Sequence, residues 1–315
     1  MTEREGIINL LKPAGMTSHD AVYFLRRLTG EKRIGHTGTL DPMAVGVLPL
    51  CIGNATRIIE YLDADRKSYR CEMLLGIETD TQDIWGEVLC DRRKSAGNLT
   101  AEKLKEVLET FQGDIFQIPP RYSSVRINGR HLYEYARKGE EVEIKPRPVQ
   151  IYNLNLISFH SDTGRAVFDV TCSKGTYIRS ICQAAGEILG CGAAMSFLAR
   201  TGSGVFRIED AVTMEELQEG WEKNLISPDS PLMHFGKLEI PEHRKNWYLN
   251  GGYLRTGEVK VTKRPEPVYA AEHISIKKEM GKAYCVYCME EFLGVSIYHE
   301  EKRQYLVDKV LGKRR

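Results

Sequence analysis

The stretch GHTGTLDPMAVGVLPL, residues 35–50, constrains what this chain can fold into more than any other. Its first half crowds small turn-formers around one His and one Asp, with Asp41 locked in front of Pro42. Its second half, from Met43 to Leu50, is small and apolar throughout. A lone Asp-Pro is most often a structural turn. Here Gly35, Gly38 and Gly46 allow close backbone approach, and His36 offers a flat polar stacking face.

The chain has 315 residues, enough for two domains or for one large domain with an appendage. With 42% hydrophobic and 28% charged residues it can build a sizeable core. No apolar run is long enough to span a membrane. The N-terminus, MTEREGIINLLKPAG, lacks the basic and apolar regions of a signal peptide. The expected location is therefore the cytoplasm. The eight Cys are scattered and read as reduced thiols. Only Cys285 and Cys288 have metal or redox spacing. With no second pair they read as two small residues in a strand. The net charge of +1 hides an asymmetry. Residues 237–315 hold 16 Lys and Arg against 11 Asp and Glu, or +5; the rest holds 28 against 32, or −4. A basic C-terminal module on a mildly acidic body suits a polyanionic partner.

Residues 6–11 read as a strand, and Thr17 or Ser18 can cap a helix over 20–28 that Gly30 stops. A further helix is expected over 55–62 and a strand over 69–75. Thr100 caps an amphipathic helix with Leu104, Val107, Leu108 and Phe111 on one face. Alternation predicts strands at 149–159 and 165–172. The turn Ser173-Lys174-Gly175-Thr176 then leads into a helix with Ile178, Ile181, Ala185, Ile188 and Leu189 as its apolar face. Between these patterns, PPRYSSVRINGRHLYEYARKGEEVEIKPRP at 119–148 mixes Arg, Tyr and Gly with little core-forming pattern. Residues 221–236, with SPDSP, read as a linker. Short strands with Gly turns beyond it suit a small β-barrel. The expectation is a mixed α/β (α+β) catalytic domain over 1–236 around a largely antiparallel sheet, with 119–148 as an insert. A small C-terminal β-barrel domain then covers 237–315.

Asp41 has no neighbouring Asp or Glu with which to form the carboxylate pair of an ordinary glycosidase. No His and carboxylate cluster is available to hold a metal. A single carboxylate can still act on a sugar. It can attack an anomeric carbon, stabilise an oxocarbenium-like centre, or remove a proton from the adjacent carbon. To stay ionised in a partly dry pocket it needs a cation. Arg179, two residues after Tyr177 in CSKGTYIRS, is a candidate.

Four motifs occur in order: KPAGMTSHD, GHTGTLDPMAVGVLPL, PPRYSSVRINGRHLYEYARKG and CSKGTYIRS. In order and spacing the chain resembles the TruB-type tRNA pseudouridine synthases over about residues 6–205, and LARTGSGVF at 198–206 is a further match. The module after 237 resembles, through looser motifs, the PUA domain that many bacterial members carry. The resemblance implies that Asp41 is the catalytic aspartate and that Tyr69 stacks on the target base. It implies that Tyr177 lies near C5 as a proton acceptor, that Arg179 pairs with Asp41, and that Leu198 lines the base pocket. His36 would insert into the RNA loop, while Tyr122, Arg126 and Arg130 of the insert would contact RNA. Two positions depart from the family pattern: Arg126 stands where Lys is common, and Ala199 where Arg is frequent.

The implied reaction breaks N1–C1′, turns the uracil over and joins C5 to C1′. It exchanges no electrons or external groups, so no cofactor is expected. This fits a sequence without a dinucleotide fingerprint or phosphate-binding loop. Flipping the target nucleotide costs a few kcal/mol, which aromatic stacking can offset by roughly 1–3 kcal/mol per base. The expected substrate is uridine 55 in the T loop of tRNA, with the C-terminal module near the acceptor end. The chain is expected to be a monomer with no membrane partner. An RNA-binding or RNA-folding protein without catalysis, or a synthase directed by a guide RNA, are the alternatives.

Overall fold

The computed structural model describes residues 5–63, 66–93, 99–266 and 280–312. Two compact units emerge: residues 1–42, 46–65 and 203–315 form one, and 43–45 with 66–202 form the other.

The first unit opens with β1 (Gly6–Lys12), α1 (Ser18–Thr29), β2 (Ile34–His36) and β3 (Val45–Ile52). β1 runs antiparallel to β3, from Gly6 opposite Ile52 to Lys12 opposite Gly46, and β2 also pairs with β3. Every residue of β3 from Gly46 onward is buried, as an unbroken apolar run requires. Thr17 caps α1 in a reciprocal capping box with Asp20, and Gly30 ends the helix at φ 71°. Residues 53–63 depart from the single expected helix. Gly53–Ile58 forms a 3₁₀ turn, tightened by the Thr56 hydroxyl donating to the Gly53 carbonyl, before the short α2 (Ile59–Asp63).

The second unit contains β4 (Lys67–Leu75), the pair β5 (Ile77–Thr79) and β6 (Val88–Asp91), α3 (Ala101–Glu109) and β7 (Gly113–Gln117). A small hairpin, β8 (Arg126–Ile127) and β9 (Arg130–His131), leads into α4 (Leu132–Arg137). Then come β10 (Arg147–His160), β11 (Arg165–Cys172), α5 (Ile178–Ile188) and β12 (Ala193–Ser203). Its sheet runs β12-β4-β11-β10-β7. The β4–β11, β11–β10 and β10–β7 pairs are antiparallel, as expected. α3 lies against β10 and α5, and α5 against β4. The buried face of α5 is Ile178, Ile181, Cys182, Ala185 and Gly186, while Ile188 is 59% exposed. This face is rotated from the one the sequence suggests. A Cβ on Gly186 would stand 2.2 Å from the Ala193 nitrogen, so the small side of the helix makes the closest approach.

The first unit resumes with β13 (Phe206–Arg207) and α6 (Met214–Gly220). The stretch 221–236, which the sequence presents as a linker, is packed. Ile226 bridges to Ile7, and Trp221, Leu232 and Phe235 are buried. Their apolar area outweighs the turn-forming composition between them. Beyond it lie β14 (Gly236–Glu239), α7 (Glu242–Leu249), β15 (Leu254–Arg255), β16 (Lys260–Lys263), β17 (Ala283–Cys288), β18 (Glu291–His299) and β19 (Gln304–Val310). These strands form a six-stranded sheet, β15-β19-β18-β17-β14-β16, curled into a half-barrel.

One core of this half-barrel is shared with the N-terminal elements: Phe235, Val295 and Leu311 cluster with Ile7, Val47 and Tyr61. Polar links reinforce it. The Tyr61 hydroxyl donates to Asp308, Arg57 to the Val310 carbonyl, and Asn54 to the Leu311 carbonyl at 3.0 Å. Cys285 and Cys288 both lie on β17. Cys285 joins this shared core and Cys288 the second core, with Leu238, Tyr248 and Tyr305. The basic residues of 267–279 and 313–315, which contribute to the charge of the module, lie outside the described residues.

Candidate active site

In the first unit the Asp41 loop spans the gap between β2 and β3. Gly38, at φ 93°, takes a backbone conformation that a side chain would strain. The loop is tied from beneath by the KPAGMTSHD segment. Ser18, 2% exposed, accepts the Leu40 N–H at 2.8 Å and donates to the Leu40 carbonyl at 3.2 Å. Lys12, fully buried, donates to the Pro13 and Met16 carbonyls at 2.8 and 2.7 Å and reaches the Pro42 carbonyl at 3.5 Å. The Gly15 N–H donates to that same Pro42 carbonyl at 2.9 Å. Both residues that flank Asp41 are therefore fixed, while Asp41 itself is half-buried. His36, also half-buried, pairs with Leu50 across β2 and β3.

The second unit carries the other candidate residues. Tyr69 sits on β4 opposite Val170 of β11 and is half-buried, and Leu198 on β12 is buried. Tyr177 occupies the N-cap of α5. Arg179, 4% exposed, donates to the Thr81 carbonyl at 3.1 Å and the Tyr122 carbonyl at 3.0 Å, and lies 3.7 Å from Asp83. Asp83 is held in turn by the Thr81 hydroxyl at 2.8 Å and the Trp85 N–H at 3.0 Å. A buried guanidinium with a carboxylate and two carbonyls around it is a fixed, oriented positive charge.

The insert presents a cationic, aromatic surface. Arg126, exposed, donates to His131 at 3.1 Å across the hairpin. Arg130 stacks over the Tyr135 ring, 4.2 Å from its centroid, and pairs with Glu140 at 3.0 Å. Tyr122 is half-buried at the root of the insert. Cys71 of β4 and Cys182 of α5, both fully buried, are packing groups. Burial first, and then Cys182 with its sulfur 3.6 Å away, push the Cys71 thiol well up.

The second unit thus brings Arg179 and Tyr122 into direct contact and sets Arg126 and Arg130 on one hairpin, whereas Asp41 and His36 belong to the first unit. The sequence reasoning missed Lys12, Ser18, Asp83 and Gln117. Lys12 and Ser18 lie inside a motif singled out for its pattern, so a charged residue there was a signal. Asp83 lies in TDTQD, where Thr and Asp at alternating positions favour side-chain-to-backbone turns.

Two family profiles account for most of the chain. The one described as TruB family pseudouridylate synthase (N terminal domain) matches residues 26–178, and that of the tRNA pseudouridylate synthase B C-terminal domain matches 179–234. The chain belongs to the TruB family of pseudouridylate synthases. It is similar to the tRNA pseudouridine synthase B of Alkaliphilus oremlandii (strain OhILAs), 42% identical over 308 residues and covering 97% of each chain. It is also similar to the tRNA pseudouridine synthase B of Heliobacterium modesticaldum (strain ATCC 51547 / Ice1), 48% identical over 77% of this chain and 79% of the relative. Among solved structures it resembles a chain of a Cbf5–Nop10–Gar1 complex. The TM-score is 0.72 at 25% identity, over 98% of this chain and 85% of that one.

Proposed function

We propose that this protein isomerises a uridine of tRNA to pseudouridine, and that its target is uridine 55 in the T loop. The observation that carries the reading is the 42% identity, over 97% of both chains, to a tRNA pseudouridine synthase B. In the reaction Asp41 starts glycosidic cleavage, by attacking C1′ or by removing the 2′ proton to give a glycal. Arg179 supplies the fixed positive charge that keeps the site electrostatically ready for a carboxylate. Tyr69 stacks on the flipped uracil, Leu198 lines its pocket, and Tyr177 takes the C5 proton. His36 fills the space that the flipped nucleotide leaves. Tyr122, Arg126 and Arg130 hold the RNA loop, and the C-terminal module contacts the RNA toward the acceptor end. The protein works as a monomer in the cytoplasm and uses no cofactor.

The test is tritium release from a T-arm stem-loop labelled at C5 of uridine, with wild type beside Asp41→Asn. Release by wild type alone supports the reading. Binding without release by either protein would leave an RNA-binding or RNA-folding protein. Release only after a guide RNA is added would favour the guided alternative.

A further inference from the structure

Gln117 ends β7 and is 7% exposed. Its side-chain amide meets the Tyr177 backbone at both ends. The Tyr177 N–H donates to Oε1 at 2.9 Å, and Nε2 donates to the Tyr177 carbonyl at 3.3 Å. A primary amide carries acceptor and donor on one rigid plane, so it can pair with a residue as a neighbouring strand would. Only one orientation of the amide satisfies both bonds. Tyr177 is the N-cap of α5, at φ −100° and ψ 110°, and makes no side-chain cap bond of its own. The backbone angles of an N-cap set where the helix starts, and so where the cap side chain and the first-turn side chains point.

We propose that Gln117 is a positioning residue for the isomerisation. It fixes the Tyr177 backbone and thereby holds the Tyr177 phenol and, two residues on, the Arg179 guanidinium in their working directions. This rests on the proposed function, in which Tyr177 and Arg179 serve the chemistry. Gln117 touches no reacting atom and acts through Tyr177.

The same junction carries two more bonds: the Ser180 hydroxyl donates to the Ile118 carbonyl at 3.2 Å, and Arg179 to the Tyr122 carbonyl at 3.0 Å. Residues 117–122, the root of the RNA-contacting insert, are thus stitched to the first turn of α5. Among these bonds, only those of Gln117 are made by a side chain of the root. Gln117 therefore connects the placement of the insert to the placement of the catalytic helix end.

Gln117→Leu removes both bonds at similar volume, and Gln117→Glu keeps the acceptor for the Tyr177 N–H. Each is compared with wild type by single-turnover tritium release and by stem-loop binding, with folding checked by urea denaturation. The expected result is a rate about tenfold to a hundredfold lower for Gln117→Leu, affinity within about twofold of wild type, and partial recovery in Gln117→Glu. The decisive readout is the double variant with Tyr177→Phe. If Gln117 acts through Tyr177, the combined loss is smaller than the product of the single losses. A full product of the two losses, or an unchanged rate in Gln117→Leu while Tyr177→Phe is slow, overturns the positioning role alone. Should Gln117→Leu fail to fold, the same cycle with Gln117→Glu decides. Absence of release by wild type, or a Tyr177→Phe variant as fast as wild type, overturns the underlying reading and this proposal with it.

Discussion

Arg179 Nη1 stands 3.7 Å from Asp83 Oδ2, with the two side chains only 4% and 10% exposed. Carboxylate and guanidinium are thus withdrawn from water together. Removing one charge of such a pair leaves the other desolvated. Asp83→Asn should destabilise the fold by about 3 kcal/mol in urea unfolding. It should also slow single-turnover isomerisation more than it weakens RNA binding. Full activity in Asp83→Asn would show that the Asp83 carboxylate is not needed to orient Arg179.

The Ser18 hydroxyl satisfies both backbone groups of Leu40, next to Asp41. Ser18→Ala leaves a buried N–H and a buried carbonyl without that partner, a cost of about 1–3 kcal/mol. The loop that presents Asp41 loses its tie, so kcat should fall while affinity for the stem-loop holds. Paired unfolding curves and single-turnover rates check this, and an equal loss in affinity would argue against a role in placing Asp41.

The N-terminal elements and the half-barrel share a core, and Leu311 is 3% exposed within it. Leu311→Ala should cost about 2–4 kcal/mol. Tyr61 makes the matching polar link. Burial first, and the Asp308 hydrogen bond next, push its phenol far up, so it remains a protonated donor. Tyr61→Phe should cost about 1 kcal/mol. If Leu311→Ala speeds hydrogen exchange in β17 and β18 but leaves it unchanged in β1 and β3, the shared core carries no coupling.

His234 lies beside Phe235, with ring centroids 4.6 Å apart, and burial lowers its pKa from the ordinary 6.5. Lys263 lowers it further and Glu266 opposes the shift. Between the lowered folded value and pH 6.5 the unfolded chain binds this proton and the folded chain does not. Stability at this site is therefore complete above 6.5 and is lost as pH falls toward the lower folded value. Replacing His234 with Phe should flatten this part of the stability–pH curve just below 6.5. Parallel wild-type and variant curves through that window would refute the assignment.

Asn128 and Gly129 turn the β8–β9 hairpin at φ 51° and 81°. A Cβ on Gly129 meets open space, so the cost of Gly129→Ala is conformational, about 1 kcal/mol. The hairpin aims Arg126 and Arg130. Arg126→Ala should weaken stem-loop binding and reduce the salt slope by about one. An unchanged slope would mean that Arg126 meets no phosphate.

Features whose physics is local were legible in the sequence. The Thr17–Asp20 capping box, the Gly30 stop, the apolar run of β3 and the alternation of β10 and β11 each follow from residues a few positions apart. The motifs around Asp41 and Arg179 could likewise be read because they are short and contiguous. Tertiary structure alone decided what depends on distant partners. Ser18 and Lys12 hold the Asp41 loop, Asp83 and Gln117 hold the start of α5, and SPDSP belongs to a packed segment. A hydrogen bond between residues 60 or 98 positions apart, as Gln117 and Thr81 make with α5, leaves no trace in local pattern. Its partners are chosen by which strands lie side by side, and only the folded chain sets that.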